Sequence, residues 1–361
     1  MRGGGTMAQV DKLCESVPNA RVRREEQRQE MNVNSVEWLR CIGCGATLRA
    51  ESAGAAEKNG NLAEGKLICT SCRREFPIVR SIARFVPSED YAHSFGYQWN
   101  YFDKTQLDSH MKNDLSRERF YATTQWPRNM DGQAILEAGC GMGRFTQIAL
   151  ETGAELFSFD LSTAVEANLR NNGDSSRVHI AQASIYEIPF RKESFDKVFC
   201  MGVLQHCPDV RAAFMSLVPF LRPGGEIVID VYHRRTGLFP PLKYWARPFL
   251  TWMGPKGVHR FLSLVIPPAF YLKKALYKIP LVGKPIGNLI PIGPVSHAPR
   301  LIFTDEELVQ VKILSALDMF SPVHDHPQTL DTVRQWFADA GLVDVYIGTG
   351  FNGINARGKK P

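Results

Sequence analysis

Three glycines at alternate positions make residues 135–144 the part of the sequence best suited to hold a ligand. Gly139, Gly141 and Gly143 directly follow a short apolar run and precede a helical pattern. At a turn from a strand into a helix, glycine lets the backbone approach a ligand and adopt conformations that a side chain forbids. Because dinucleotide-binding proteins use a similar turn, the glycines alone leave the ligand open.

Two carboxylates beside this loop narrow the choice of ligand. Glu137 lies just before the glycines, where its charge would suit an ammonium group and would repel a pyrophosphate. Asp160 follows Gly139 by 21 residues, at the end of the next predicted strand, where a carboxylate can accept hydrogen bonds from both hydroxyls of a ribose. The two carboxylates therefore favour a ligand with a ribose and an ammonium group over a dinucleotide.

Two CxxC pairs form a second candidate site. Cys41 and Cys44 make the first pair and Cys69 and Cys72 the second, with residues 45–68 between them. Four thiolates at such a spacing form a closed tetrahedral site, which indicates a structural metal. Zinc is the predicted metal, iron is the alternative, and four ordinary buried thiols are the interpretation without a metal. The remaining cysteines have no disulfide spacing, so we expect reduced thiols.

Three further groups are candidates for acting on a substrate. His206 follows the fourth predicted strand at the carboxyl edge of the sheet, where it is either a general base or a residue that packs at the strand end. His324, Asp325 and His326 lie between two prolines and form either an acid–base or metal site or a solvated loop. Tyr97 either walls a substrate pocket or packs in the core.

Strands and helices alternate from residue 134 onward. This alternation is typical of the doubly wound α/β class, which has a mostly parallel sheet with helices on both faces. Residues 107–121 also have helical spacing. The predicted strands are 134–138, 155–160, 178–181, 195–201 and 226–232, and the predicted helices between them are 144–151, 163–171 and 210–220.

Six short motifs in residues 132–232 point to a known family. They are LEAGCGMGRF at 136–145, FDLS at 159–162, IPF at 188–190, SFDKV at 194–198, GVLQH at 202–206 and LRPGG at 221–225. Together they resemble the core of the class I S-adenosylmethionine methyltransferases, in the branch called methyltransferase type 11. The resemblance implies a seven-stranded Rossmann-like sheet with S-adenosylmethionine as the cofactor.

The resemblance also assigns residues to the cofactor. Glu137 and the first two glycines would line its methionine portion, and Asp160 would bind the ribose. Ser184 and Ile185 would flank the adenine, although the family often has aspartate in place of Ser184. A hydroxyl can still accept a hydrogen bond, so we expect weaker binding there rather than none. The full predicted set is Glu137, Gly139, Gly141, Asp160, Leu161, Ser184, Ile185 and Met201.

The part of the chain before the core has a resemblance of its own. The cysteine pairs resemble the zinc ribbon of the tRNA-methyltransferase activator family, which precedes some of these methyltransferases. Residues 95–100, FGYQWN, resemble the aromatic segment that leads into the catalytic domain. The resemblance covers residues 36–232 well, whereas the motifs at 317–322 and 333–341 resemble the end of the same branch and fix no substrate.

These features divide the 361 residues into six parts. No run reaches the eighteen or so apolar residues of a membrane span, and no secretion signal follows the basic N-terminus, so we expect a cytoplasmic protein. Apolar residues make up 44% of the chain, which suits a globular fold. We expect a disordered tail at 1–35, the zinc ribbon at 36–88, a helical lead-in at 89–131, the methyltransferase core at 132–232, a basic helical insertion or lid at 233–304 and the end of the methyltransferase domain at 305–361.

The insertion at 233–304 contains no Asp or Glu, and its many Lys and Arg residues alternate with aromatic and aliphatic ones. Amphipathic helices of this composition cover an active site, lie on an anionic membrane surface or grip a phosphate-bearing substrate. An ordinary helical lid with solvated cations is the plainest interpretation. The sequence does not choose among these four.

Three functions agree with the sequence. The first is transfer of a methyl group to oxygen or nitrogen of a small-molecule or lipid- or glycan-linked metabolite. The second is methylation of tRNA or rRNA, held by the zinc ribbon and the basic insertion. Two features weaken the RNA interpretation. After the fourth strand, Cys200-Met-Gly-Val stands where enzymes that methylate base amino groups have an Asn/Asp-Pro-Pro-aromatic signature. The Pro-Cys nucleophile pair of the cytosine-methylating type does not appear either, since Cys207-Pro208 has the opposite order. The third is a cofactor-binding scaffold, which the intact loop and carboxylates make less attractive.

Overall fold

The computed structural model describes residues 31–52, 61–87, 90–234, 242–293, 295 and 303–361. The tail predicted to be disordered lies almost wholly outside these residues, as do parts of the basic insertion. The strands are β1 Met31–Asn32, β2 Leu48–Ser52, β3 Asn61–Leu62, β4 Gly65–Cys69, β5 Glu75–Val79, β6 Ile82–Arg84, β7 Ala134–Ala138, β8 Glu155–Asp160, β9 Val178–Gln182, β10 Phe195–Met201, β11 Leu221–Val231, β12 Val343–Gly350 and β13 Gly353–Lys359.

The helices in these residues fall into two groups. Those of the core alternate with its strands, whereas those of the lead-in lie before it and those of the insertion and the C-terminal part lie after it. They are α1 His93–Tyr101, α2 Asp108–Met111, α3 Leu115–Thr124, α4 Arg144–Leu150, α5 Val165–Asn172, α6 Val210–Leu217, α7 Leu242–Trp252, α8 Gly254–Leu276, α9 Gly283–Asn288, α10 Asp305–Phe320 and α11 Leu330–Asp339. The helical spacing at 107–121 thus corresponds to two short helices, α2 and α3.

One mixed sheet of eleven strands carries the fold, in the order β12-β13-β11-β10-β7-β8-β9-β6-β5-β4-β2. Strands β7 to β11 run parallel, and β13 and β12 close that side in antiparallel fashion. All five residues of β7 are buried, as expected for a central strand covered by helices on both faces. These seven strands match the predicted methyltransferase sheet.

The prediction of a seven-stranded sheet is nevertheless wrong in number. Strand β6 of the ribbon pairs in parallel with β9, so β2, β4, β5 and β6 extend the same sheet. The ring of Trp38 packs 4.4 Å from that of Phe157 and 5.6 Å from that of Phe195, centroid to centroid. The segment predicted to be a zinc ribbon therefore shares one core with strands β7 to β13, because it is too small to bury a core of its own.

The insertion packs as a second layer of helices. Val258, Leu262 and Ile266 of α8 are buried in a cluster with Ile313 and Leu317 of α10. Helix α8 continues through Pro267 and Pro268. Each proline removes a backbone N–H from the helix, so packing against α10 must hold the helix together there. No helix in the described residues is long and apolar enough to cross a membrane.

Candidate functional site

A cavity of about 430 Å³ opens at the carboxyl ends of the parallel strands. Its floor contains the loop after β7, the end of β8 and the end of β10, and its roof contains α1 and α10. Ligands bind at this edge in open α/β sheets because the turns there diverge. The residues that line the cavity include Phe95, Arg119, Gly139, Gly141, Arg144, Asp160, Leu161, Ile185, Met201, His206, Tyr232, Asp318 and Asp325.

The glycine loop forms the tightest part of the floor. Gly139 and Gly141 have φ angles of +76° and +52°, which favour glycine. A Cβ atom on Gly139 would also lie 2.4 Å from a methyl carbon of Val203. The N–H groups of Gly139 and Cys140 both donate to the carbonyl of Phe159, at 2.8 and 3.1 Å. The loop is therefore tied to the end of β8 and leaves its inner face open to a ligand.

Asp160 connects the loop to β8 from the other side. Its Oδ2 accepts a hydrogen bond from the N–H of Gly141 at 2.9 Å. Its Oδ1 accepts from the N–H of Ser162 at 2.8 Å and from the hydroxyl of Ser162 at 2.7 Å. These bonds fix the carboxylate in the cavity wall, where the sequence predicted the ribose acceptor. That role stays a prediction.

Glu137 lies beneath the loop rather than in the cavity wall. Its Oε2 accepts hydrogen bonds from the hydroxyls of Thr146 at 2.6 Å and Ser158 at 2.7 Å. Burial raises the pKa of Glu137 to about 7, although both hydrogen bonds act in the opposite direction. The structure thus does not bring Glu137 to the surface where a methionine ammonium group was expected, and its observed contacts support the loop.

The residues predicted around the adenine divide in two. Leu161, Ile185 and Met201 line the cavity. Ser184 does not, and its hydroxyl instead accepts a hydrogen bond from the N–H of Tyr186 at 3.2 Å. Apolar side chains therefore form this part of the wall, which suits the faces of a flat aromatic ring.

His206 lies in the cavity wall and is 5% exposed. Its Nδ1 lies 3.0 Å from the carbonyl oxygen of His324. Because a carbonyl only accepts, this contact assigns the proton of a neutral ring to Nδ1 and leaves a lone pair on Nε2. Burial lowers the pKa of His206, so the neutral form is favoured. The ring packs against Phe95 and Tyr232, at centroid distances of 4.9 and 5.5 Å.

Two polar pairs that the sequence did not single out contribute to the cavity wall, and Tyr232 of one pair packs against His206. The hydroxyl of Tyr232 donates to Oδ2 of Asp318 at 3.0 Å, and the charge of Asp318, followed by burial, raises the pKa of Tyr232. Arg119 donates to Oδ2 of Asp230 at 2.6 Å, and the Asp230 side chain is fully buried. Tyr232 and Asp318 lie at the ends of recognisable segments, whereas nothing in the sequence around Arg119 marks it.

Arg144 contributes another, half-buried cation to the wall. Its guanidinium donates to the hydroxyl oxygen of Ser116 at 2.8 Å and to Oε1 of Gln106 at 3.0 Å. Burial lowers its pKa to about 10, so it remains charged at neutral pH. A half-buried guanidinium hydrogen-bonded to neutral groups offers a counterion to an anionic group of a ligand.

The other sequence candidates lie elsewhere. The hydroxyl of Tyr97 is 2.7 Å from Nδ1 of His259 in α8, away from the main cavity. The rings of His324 and His326 stack with centroids 5.4 Å apart, and of the cluster only Asp325 lines the cavity. Tyr97 is therefore not part of the main pocket, and the His-Asp-His segment is split between wall and surroundings.

The four cysteines converge as the spacing predicts. Their Sγ atoms all lie within 4.8 Å of one another, with Cys41 to Cys72 at 3.6 Å and Cys44 to Cys69 at 3.4 Å. A tetrahedral zinc with bonds of about 2.3 Å separates its sulfurs by roughly 3.8 Å, so the cluster fits such an ion. Among the described residues, this is the group of His, Cys, Asp and Glu side chains found close enough to hold a metal.

Comparison with known sequences supports the class that the site suggests. Residues 136–229 match the family model described as "Methyltransferase domain". Ubiquinone biosynthesis O-methyltransferase of Xanthomonas campestris is 26% identical over 173 residues, covering 47% of this chain and 70% of that protein. The enzyme of the same name from Alkalilimnicola ehrlichii is 28% identical over 159 residues, covering 43% and 63%.

Solved structures with similar folds include human N-acetylserotonin methyltransferase in complex with S-adenosylmethionine. It is 12% identical, with a TM-score of 0.43, and the match covers 76% of this chain and 60% of that one. A methyltransferase from Mesorhizobium loti is 17% identical, with a TM-score of 0.39, and the match covers 67% and 97%. Similarities of this size carry no argument about this chain.

Fold, cavity and domain match together indicate a doubly wound α/β transferase with a candidate ligand cavity at the carboxyl edge of the sheet. The protein is an S-adenosylmethionine-dependent methyltransferase, with its methyltransferase domain at residues 136–229. The predicted enzyme class and cofactor are thereby confirmed. The roles assigned to individual site residues stay predictions, as does the resemblance of the ribbon to the tRNA-methyltransferase activator family.

Replacing Asp160 tests its predicted role. Asp160→Ala removes the ribose acceptor and a loop contact worth about 1.5–3 kcal/mol, so we expect at least about tenfold weaker binding of S-adenosylmethionine in calorimetric titration. Asp160→Asn, which keeps one acceptor oxygen, should fall between. The matched control is Asp174→Ala at an exposed position. Wild-type affinity in the folded Asp160→Ala protein would refute the assignment.

Glu137 should make the stability of the cofactor-free protein depend on pH. Its pKa is raised from 4.5 to about 7, so the unfolded chain loses this proton first and stability falls as pH rises between these values. The full effect is about 3 kcal/mol. Glu137→Gln has no such proton to lose, so this pH dependence should disappear. In urea unfolding, the free energy of unfolding of the variant relative to the wild type should rise by up to about 3 kcal/mol between about pH 5 and pH 8. Glu118→Gln, at an exposed position, is the control, and parallel profiles for wild type and Glu137→Gln would contradict the burial argument.

Proposed function

We propose that the enzyme transfers the methyl group of S-adenosylmethionine to an oxygen atom of a small-molecule or lipid- or glycan-linked acceptor. The names of the relatives support oxygen as the target, since both are O-methyltransferases of ubiquinone biosynthesis. The single observation that carries the proposal is His206, a neutral imidazole in the wall of the cavity that also contains the glycine loop and Asp160.

The position of His206 supports a role as general base. Bound S-adenosylmethionine supplies an electrophilic methyl group on its sulfonium. An acceptor hydroxyl gains a bond to that methyl carbon as the bond from sulfur breaks, and its proton must leave. Nε2 of His206 takes this proton, because Nδ1 is already bonded to the carbonyl of His324. The carbonyl then stabilises the imidazolium that forms.

The two polar pairs support binding and orientation. The Tyr232–Asp318 bond lies beside His206 and fixes one wall of the acceptor side. Asp230 holds the guanidinium of Arg119, which lines the cavity. Arg144, which also lines the cavity, supplies a charge for the carboxylate of the methionine portion of the cofactor. Positioning of donor and acceptor then provides most of the catalysis.

The acceptor class can be tested directly. Purified protein is incubated with methyl-labelled S-adenosylmethionine and a lysate of its own organism, and label is counted in the organic extract, small polar molecules, RNA and protein. We expect label in the first two fractions, in a linkage with the alkaline stability of an ether. Label confined to RNA would overturn the proposal in favour of nucleic-acid methylation.

Replacing His206 tests the base. His206→Gln should lower kcat by roughly 10²–10⁴-fold while cofactor affinity stays near wild type, because only proton removal is lost. Since burial lowers the pKa of His206 below its usual 6.5, wild-type activity should fall only on acidification below that value, and this limb should vanish in the variant. His110→Gln, at an exposed position, is the control. An unchanged kcat would exclude His206 as the base.

We also propose that the four cysteines hold a structural Zn²⁺. The distances between their sulfur atoms suit a tetrahedron. Four cysteines fill all four coordination positions, so none is left open for a water or a substrate. The ribbon strands continue the sheet of the methyltransferase domain, and Trp38 packs on Phe157. Binding of the ion would therefore stabilise the methyltransferase domain as well as the ribbon.

Loss of the metal should therefore weaken the whole domain. Cys44→Ser should reduce the metal content from about one ion per chain to near zero by mass spectrometry, and should lower Tm in one cooperative transition. Cys200→Ala, a buried cysteine outside the cluster, should keep the ion. A metal-free wild-type protein with an unchanged Tm would contradict the proposal, and iron in place of zinc would change only the identity of the ion.

A further inference from the structure

The outer face of the helical insertion exposes far more apolar surface than the rest of the molecule. Of the 22 large apolar side chains that are exposed in the described residues, 14 lie between residues 245 and 289. A concentration of exposed apolar side chains of this kind marks a surface that binds another protein or a membrane. We call the exposed side chains of α7, α8, α9 and their connections the lid surface.

Helix α7 shows that this exposure is one-sided. Trp245, Phe249 and Trp252 are 67%, 77% and 89% exposed, and their spacing of i, i+4 and i+7 aligns them on one face. On the inner side Arg247 is buried and donates to the carbonyl oxygens of Met319 and Pro322, both at 2.6 Å. The guanidinium thus fastens the helix to the protein, while the three aromatic rings point outward.

Helix α8 is apolar on two opposite faces. Its inner face packs on α10 through Leu262, Ile266 and neighbouring residues. Its outer face exposes Leu264, which is 75% exposed, together with Val265 and Leu272. A surface helix normally carries polar residues on its outer side, so a second apolar face predicts a second apolar environment. Leu281 and Leu289, at either end of α9, continue the same surface at 97% and 81% exposure.

The charge of the lid surface has a single sign. Lys256 and Arg260 begin α8 at exposed positions, and Lys278 and Lys284 are exposed around the turn into α9. Residues 231–304 contain no Asp or Glu at all. Apolar residues flanked only by cations complement a layer that is apolar inside and negatively charged at its surface.

We propose that the lid surface binds the face of a membrane containing anionic lipids, with its aromatic and aliphatic side chains among the headgroups and its cations on the lipid phosphates. Nucleic acid would use the cations but would leave Leu264, Leu281 and Leu289 in water. Because no helix among those described can span a bilayer, the contact is peripheral. This inference does not depend on which acceptor atom is methylated.

Helix α10 connects the lid surface to the active site. Its Leu314 packs in the same apolar cluster as α8. Leu314, Asp318 and Met319 all line the cavity. Arg247 of α7 is hydrogen-bonded to the carbonyl of the same Met319. A membrane bound to α7 and α8 would therefore be one helix away from the acceptor side, which would suit an acceptor dissolved in or tethered to that membrane.

Vesicle flotation tests the proposal with the full-length protein. We expect the protein to float with vesicles of mixed phosphatidylcholine and phosphatidylglycerol, to float much less with phosphatidylcholine alone, and to lose binding as salt is raised. Brominated lipid should quench tryptophan fluorescence, because two exposed tryptophans lie on α7.

Two paired variants separate the apolar and the charged contributions. Phe249→Ser with Trp252→Ser should abolish most of the bromine quenching. Lys256→Glu with Arg260→Glu should weaken binding to the mixed vesicles by at least about tenfold, as expected for two cations near an anionic surface. Val345→Ser and Lys192→Glu make the same kinds of change at exposed positions outside the insertion and should bind as the wild type does.

The outcomes distinguish this proposal from the proposed methyl transfer. All variants should keep wild-type Tm and wild-type affinity for S-adenosylmethionine, so a loss of vesicle binding with both retained supports the lid surface specifically. No flotation of the wild-type protein, or equal flotation of the wild type and both lid variants, would overturn it. Self-association that depends on Trp252 without any lipid binding would overturn it too, in favour of a contact between two copies of the chain.

Discussion

The bond between Asp160 and the glycine loop is the interaction on which the rest of the site depends. Pairing of β7 with β8 sets Ala138 opposite Phe159, so the loop that follows one strand begins beside the end of the other. Asp160 then accepts from Gly141, and the Phe159 carbonyl accepts from two N–H groups of the loop. These bonds give the loop its shape before any ligand arrives, which lowers the entropy that binding must overcome.

Support for this loop comes at a cost in free energy. Glu137 is fully buried under it, and burial raises the pKa of this carboxyl to about 7. Two hydroxyl donors offset only part of the desolvation. A polar residue in so unfavourable a place is expected at a functional site rather than in an ordinary core. The extension of the sheet by the ribbon, with Trp38 against Phe157, adds packing on the side of β9.

Local signals in the sequence predicted the core well. The glycine turn and the alternation of strands and helices are local features, and each predicted core strand is present within a few residues. The four cysteines were equally informative, because the spacing of the two CxxC pairs correctly predicted that their sulfur atoms converge. What the sequence missed depends on tertiary contacts. The pairing of β6 with β9 follows no local pattern, and neither does the packing of α8 on α10.

The site shows the same division. Asp160 and His206 lie in the cavity because each follows a strand whose end defines the pocket. Tyr97 was a candidate on residue type alone, but its helix turns that side chain towards His259. Arg119 could not be selected, since no local pattern marks it and it reaches the cavity from a helix outside the alternating core. Asp318 lies in the motif at 317–322, but only the tertiary fold brings that motif to the cavity. Helix α10 supplies the cavity wall that holds Asp318 and also packs against α8. If the two proposals hold, one helix joins the acceptor side to the membrane-facing surface, whereas the sheet holds Asp160 and the glycine loop independently of it.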